Sequence, residues 1–273
     1  MKPIVVLYHD NCLDGFGAAW SAWKKFKSNA TYRGVSYGFE PPEKLAGKEI
    51  YLLDFSFDEA TLKRLERSAR RLTVIDHHIS AEKSVRSLAN HVFNTRHSGA
   101  ALAWRFFHPG RPLPRMLAHI EDVDLWRFKR ARTREITTYL SAMDFNFTVW
   151  SKIARDLEDS KRRNDVVTRG KVALAYKNKL VEQLAQTADE TVFEGFRAGV
   201  VNSPTLESEV GNSLVKKGFD IGIIWSKAKN RIHVSLRSSG DVDVAKIATR
   251  YGGGGHTSAA GFRVTELPWS TKL

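Results

Sequence analysis

The residues that most restrict what this chain can fold into are Val74-Ile75-Asp76-His77-His78, an apolar run that halts in a carboxylate and two adjacent imidazoles. Aliphatic and β-branched residues fill Arg71 to Ile75 without helical spacing, which predicts a short buried strand. In an open α/β sheet, ligands bind just outside the carboxyl ends of the strands, so the polar trio stands where a site belongs. Asp and His together offer hard oxygen and borderline nitrogen donors, a set suited to Mn, Fe, Co or Zn. On its own the trio would pass for ordinary hydrogen-bonded residues, so the rest of the chain must decide.

Two earlier stretches repeat the pattern. Ile4 to Tyr8 reads as a strand that ends in His9-Asp10-Asn11-Cys12-Leu13-Asp14-Gly15. The small and aromatic residues from Phe16 to Trp23 then suit a helix packed closely on a sheet. Such a turn gathers polar side chains beside helix amides, although Asp14 could equally be a plain helix cap. Glu49 to Leu53 reads as another strand, closed by Asp54, and Asp58-Glu59-Ala60 opens an amphipathic helix through Leu62, Leu65 and Ala69. Strands alternating with helices predict parallel βαβ packing, with all three strand ends at one edge. His9, Asp14, Asp54, Asp76, His77 and His78 would converge there.

These residues resemble the first three motifs of the DHH phosphoesterase superfamily. Glu121-Asp122-Val123-Asp124-Leu125-Trp126 is the candidate for the fourth. The run Gly252-Gly253-Gly254-Gly255-His256, continuing to Phe262, resembles the glycine-rich signature of the associated DHHA1 domain. The resemblance implies a two-metal phosphohydrolase, usually Mn-dependent with Co, Mg or Zn as alternatives, whose substrate is clamped between two domains. By position it implies His9, Asp14, Asp54, His77 and Asp122 as metal ligands, with Asp54 bridging. Asp124 is the alternative to Asp122. His78 would face the scissile phosphate, and Asp76 would orient its neighbours. Where the family commonly has a first-motif carboxylate, this chain has Cys12. Cys12 could ligate as thiolate and favour a softer metal, Asp10 or Asn11 could swing in, or Cys12 could be a small buried residue without such a role.

The implied fold is α/β: an N-terminal parallel-sheet DHH domain (1–128), a helical connector (129–192) and a smaller DHHA1 domain with a mixed sheet (193–273). Thr95-Arg96-His97-Ser98-Gly99 opens a further helix, where Ser98 suits an N-cap and His97 could contribute to a phosphate pocket. In the connector, Lys129, Arg130, Arg132, Arg134, Lys161, Arg162, Arg163, Lys171, Lys177 and Lys179 stand among Tyr139, Phe145, Phe147 and Trp150. This predicts a basic wall for a nucleic-acid backbone with some base stacking, against the plainer reading of core aromatics and solvated charges. Beyond it, strands are expected around Val200, Ile223 and Val234, and helices around Glu209 to Val215 and Val244 to Tyr251. By resemblance Arg237, Ser238, Gly253, Gly254, Gly255 and His256 would hold substrate phosphate. Consecutive glycines let backbone amides approach an anion.

Composition sharpens the expectation of function. The 273 residues carry a formal charge of +13, which favours polyanionic partners. A single cysteine excludes an intrachain disulfide framework. The N-terminal apolar run is too short for a signal peptide, and no stretch approaches the ~20 apolar residues of a membrane span. A cytoplasmic enzyme with no membrane role is expected, with a homodimer left open. Its expected activity is hydrolysis of short single-stranded nucleic acid, as an exonuclease or oligoribonuclease. The alternatives are a small phosphorylated nucleotide (3′,5′-bisphosphate or cyclic dinucleotide), polyphosphate, or a non-catalytic nucleic-acid-binding module.

Overall fold

A computed structural model describes residues 2–36 and 40–269. The chain divides into two compact units, Met1–Leu174 and Ala175–Leu273. In the first unit five parallel strands form one sheet: β1 (Ile4–His9), β2 (Ala30–Val35), β3 (Glu49–Leu53), β4 (Arg71–Asp76) and β5 (His91–Phe93), in the order β2-β1-β3-β4-β5. Around it lie α1 (Leu13–Phe26), α2 (Glu59–Ser68), α3 (Glu82–Arg86), α4 (Gly99–Phe107), α5 (Arg115–Asp124), α6 (Thr133–Ser141) and α7 (Phe147–Glu158). β2 was not anticipated, because Thr31, Arg33 and Gly34 interrupt any apolar run on this edge strand.

Alternate residues of the central strands face opposite layers. Val6, Tyr51, Leu53 and Ile75 join the core formed with α1, α4, α5 and α7. Val5, Leu7, Ile50, Leu52, Leu72 and Val74 join the core formed with α2 and α3. A sheet covered on both faces explains why these strands read as continuous apolar runs rather than alternating ones.

The register sets the site. Tyr8 pairs with Leu53, and Leu53 with Ile75, so the next residues His9, Asp54 and Asp76 lie level across three adjacent strands. The chain order reverses between β1 and β3, the crevice where ligands bind in this sheet order. Helices reach that edge because glycines face it. A Cβ on Gly15 would sit 2.1 Å from the His9 carbonyl oxygen, and one on Gly99 would sit 2.5 Å from Asp54 Cβ.

The basic stretch expected as a connector is shared between the units: α6 and α7 belong to the first, and α8 (Ser160–Gln186) runs across the division. Its aromatics pack on the first core to different depths, with Phe147 partly buried and Phe145 exposed at its edge. Trp150 is fully buried, Phe147 stacks on Phe16 at 4.9 Å between ring centroids, and Phe145 stacks on the same ring at 5.1 Å. Trp150 is therefore a core residue, while the exposed Phe145 stays open to solvent.

The second unit holds β6 (Asp189–Phe193), β7 (Phe196–Asn202), β8 (Ile221–Ala228), β9 (Arg231–Arg237), β10 (Gly254–His256) and β11 (Ala259–Val264), with α9 (Glu207–Lys216) and α10 (Val244–Arg250). Its sheet runs β10-β11-β9-β8-β7-β6 and is mixed, with β7 and β8 parallel and the other neighbours antiparallel. No described helix is long and apolar enough to cross a membrane.

His119 ties α5 to α6, its Nδ1 lying 2.9 Å from Thr133 Oγ1. Burial, and next the charge of Arg130, push its pKa down to about 4. An unfolded histidine titrates near ~6.5, so between those values the unfolded chain binds the extra proton. Stability therefore falls as pH drops through that window. Urea melts should show a shallower acid limb for His119→Gln, and an unchanged slope would remove His119 as its source.

Candidate metal centre

Three overlapping groups of donor atoms gather at the β1, β3 and β4 ends: His9, Cys12 and Asp54; Asp54, His77 and His78; and Asp14, His77 and Asp124. Within each group the donor atoms lie within 4.8 Å of one another. Asp54 and His77 each belong to two groups, so adjacent positions share ligands.

Asp54 is the hub. Its side chain is buried, and its backbone sits at φ 55°, a left-handed conformation uncommon outside glycine. Such backbone strain concentrates at functional sites. Oδ2 lies 3.6 Å from His9 Nδ1, while Oδ1 lies 3.1 Å from His77 Nε2. Burial opposes the charged carboxylate, yet the close approach of the His77 and His9 rings outweighs it and holds the pKa below the usual range. His77 responds in the opposite sense. Burial disfavours its charge, but Asp54, then Asp124 and Asp14, raise its pKa to about 10. Asp54 Oδ1 and His77 Nε2 are both buried without a hydrogen-bond partner of acceptable geometry. Such atoms are costly to leave unsatisfied, and a divalent cation between the imidazole and the carboxylates would satisfy both. The donor set therefore fits a metal.

From the first turn of α1, the Asp14 carboxylate meets the N-terminus of α4, accepting hydrogen bonds from the Gly99 amide at 2.6 Å and the Ala100 amide at 3.0 Å. Helix amides stabilise its buried charge, and Oδ2 still lies 3.8 Å from His77 Nε2. Burial and the charges of Asp124 and Asp54 nevertheless push its pKa well up. Asp124 Oδ2 lies 3.6 Å from the same nitrogen, its side chain 22% exposed. Burial raises the Asp124 pKa to about 6. The Cys12 thiol is also pushed well up, by burial and then by Asp54. Two carboxylates and a thiol short of positive charge, beside the ionised Asp54, suit a cation.

Asp76 organises the DHH turn. Its Oδ1 accepts from the amides of His77 at 2.7 Å and His78 at 3.2 Å, and lies 2.7 Å from His78 Nδ1. Burial opposes a charged His78 ring, but Asp76 outweighs it and raises the pKa.

Several expected residues fall elsewhere. Asp122 is outside the cluster: its carboxylate accepts from the amides of Lys129 and Arg130 and from Thr133 Oγ1, at 2.9, 3.0 and 2.6 Å. It fastens the turn after α5, and Asp124 takes the position beside His77. The two share a short acidic motif on one helix, and only the tertiary fold tells them apart. Asp10 leans on β2, where a Cβ on Gly34 would sit 2.4 Å from its Oδ1, and it enters none of the donor groups. His97 Nδ1 lies 2.9 Å from Glu121 Oε1, and Ser98 caps α4 through the Ala101 amide.

In the second unit, Arg237 is half-wrapped by its own surroundings, donating to Ser208 Oγ at 2.7 Å and Ser235 Oγ at 3.0 Å. Ser238 Oγ donates to the Val242 carbonyl at 2.7 Å. Gly254, Gly255 and His256 form β10, paired with β11. A Cβ on Gly253 would sit 2.2 Å from the Gly261 carbonyl oxygen, so this part of the run serves close hairpin packing. His256 is at the exposed end of the strand.

Residues 201–271 match the DHHA1 domain family. Over 95% of its length the chain is 23% identical to the oligoribonuclease NrnB of Bacillus subtilis, spanning 73% of that protein. The stretch matched by the DHHA1 family lies within the second unit, so that unit carries a DHHA1 domain. An uncharacterised protein of Acanthamoeba polyphaga mimivirus is 29% identical over 94% of the chain, which spans 66% of that relative's length. In fold the chain is similar to the RecJ structure with Mn2+ from Thermus thermophilus, at TM-score 0.51 and 15% identity over 96% of this chain and 49% of that one.

Asp124→Asn should lower divalent-cation affinity in calorimetry by about tenfold or more, ~1.4 kcal/mol, while leaving the urea midpoint near wild type. Asp122→Ala should do the reverse, costing roughly 2–3 kcal/mol of stability through its lost charged hydrogen bonds. If Asp122→Ala instead abolished metal binding in a stably folded protein, Asp122 would be the ligand.

Proposed function

We propose that this chain is a metal-dependent phosphodiesterase that shortens single-stranded nucleic-acid oligomers from an end, short RNA foremost. The observation that carries the reading is Asp54, buried and left-handed at the switch point of the sheet, with unpartnered Oδ1 facing the equally unpartnered His77 Nε2. A donor hub shared by adjacent groups suits two divalent ions, Mn2+ first. His9 and Cys12 would complete one position, and His77, Asp14 and Asp124 the other. Bound there, the ions would polarise the phosphate and supply a nucleophile at neutral pH.

The remaining roles fall to protein groups. Asp76 fixes the orientation of His78 through Nδ1, so the opposite edge of the ring serves to protonate the leaving oxygen or steady its charge. The α4 amides hold Asp14 in place without another cation. In the second unit, Arg237 and His256 would bind substrate phosphate, a guanidinium being matched to phosphate geometry. The net charge of +13 suits a polymeric anion. Likeness to a relative named as an oligoribonuclease over 95% of the chain supports RNA as substrate.

Labelled RNA and DNA oligonucleotides should be compared with a 3′,5′-bisphosphorylated nucleotide, a cyclic dinucleotide and polyphosphate, under Mn2+, Co2+, Mg2+ and Zn2+. A shortening ladder from RNA is expected. Asp54→Ala and His77→Ala should each reduce its rate on the order of 10³-fold, matching the several kcal/mol of charge stabilisation a bound metal supplies. Phosphate release from the small substrates or polyphosphate, with oligonucleotides left intact, would replace the nuclease reading.

A further inference from the structure

A cavity of about 510 Å3 lies in the first unit, walled by α5, the turn before α6, α6 itself and the early part of α8. Arg115, Arg130, Arg132, Arg163 and Lys171 line it together with His119, and no carboxylate does. These charges lie far apart in sequence and meet because α8 crosses α6 at backbone contact. A Cβ on Gly170 would sit 2.1 Å from the Glu135 carbonyl oxygen, so only glycine lets Arg163 and Lys171 come down beside Arg132.

The positive charge there is poorly compensated. Arg115 meets Glu158 at 3.2 Å and Arg132 meets Glu135 at 3.1 Å, but the arginine side chains are 53% and 56% exposed. Such exposed pairs neutralise little. Arg130 and Lys171 enter no ion pair within 4.0 Å among the described residues. The field is felt by His119, whose pKa is lowered by burial and then by Arg130, with Arg115 and Arg163 adding to the effect. The volume is in the range of small-ligand sites, roughly 300–1,000 Å3. Apart from the imidazole, no aromatic ring lines the cavity, so it offers charge and guanidinium forks but no platform for a base.

We propose that this hollow is a second anion site, separate from the metal centre, that holds a run of adjacent phosphate groups from a nucleic-acid backbone or a free oligophosphate. None of the candidate metal ligands lines it. His119 and Asp124 stand five residues apart on α5, about 7–8 Å along its axis and roughly 140° around it. Cavity and centre therefore use different faces of one helix. The site goes beyond the phosphodiesterase reading and does not depend on it.

Calorimetry on the full chain with EDTA present, using inorganic tripolyphosphate and a short oligothymidylate as probes, tests the site without hydrolysis. Wild type is compared with the pair Arg130→Glu and Lys171→Glu, and with a control pair of equal charge change on exposed helix positions, Arg67→Glu and Arg105→Glu. The cavity pair should weaken tripolyphosphate binding by about tenfold or more, ~1.4 kcal/mol or above, and the control pair by less than about twofold. If oligothymidylate weakens in parallel, the phosphates are those of a nucleic-acid backbone; if only tripolyphosphate does, they are those of a free oligophosphate. Equal weakening by both pairs, or no tripolyphosphate binding to wild type, overturns the proposal. Should the double variant unfold, Lys171→Gln is read against the same control. Because metal is chelated, this result stands apart from success or failure of the nuclease assay.

Discussion

The first unit depends on how it keeps a carboxylate ionised inside its core. A buried charge is tolerated only when paired or hydrogen-bonded, and Asp54 is placed where pairing is built in. Parallel register sets it level with His9 on one side and Asp76 on the other, and the DHH turn brings His77 over its free oxygen. The close helices, the glycines facing the strand ends and the left-handed backbone at Asp54 are all consequences of that placement. Gly99 is the clearest case, since any side chain there would collide with Asp54 itself.

Around this hub each polar group has one of two tasks. Some carry donors toward a shared point: His9, Asp14, His77 and Asp124. Others fix geometry: Asp76 by gathering two amides and a ring nitrogen, and Asp122 by gathering two amides and a hydroxyl. The division is electrostatic. Asp122 has its charge satisfied by hydrogen bonds, which lower its pKa despite burial, whereas burial drives Asp124 upward to about 6. Of the two, only Asp124 stands within reach of His77, its Oδ2 3.6 Å from Nε2.

The same reasoning explains why some sequence signals were legible and others misled. Strand ends are local: an apolar run stops and a polar residue follows, so His9, Asp54 and Asp76-His77-His78 could be read directly. The aromatics of the basic stretch carried no such local sign. Phe147 and Trp150 belong to the core through Phe16, more than a hundred residues earlier in the chain, and no spacing rule reports that. The glycine run was ambiguous for a related reason, because freedom to approach an anion and freedom to approach a neighbouring strand demand the same residue. In the structure Gly253 approaches Gly261.

By itself the sequence determined the α/β class, the parallel packing of the early strands and which polar residues close β1, β3 and β4, because periodicity and strand-end chemistry are properties of neighbouring residues. Tertiary structure alone placed Asp124 rather than Asp122 beside His77, Cys12 beside His9 and Asp54, and Asp10 against β2 outside the donor groups. It also assembled a cationic cavity from residues spread between Arg115 and Lys171. Those outcomes depend on which helix amides and turns reach a given side chain through space, and distance along the chain does not encode that.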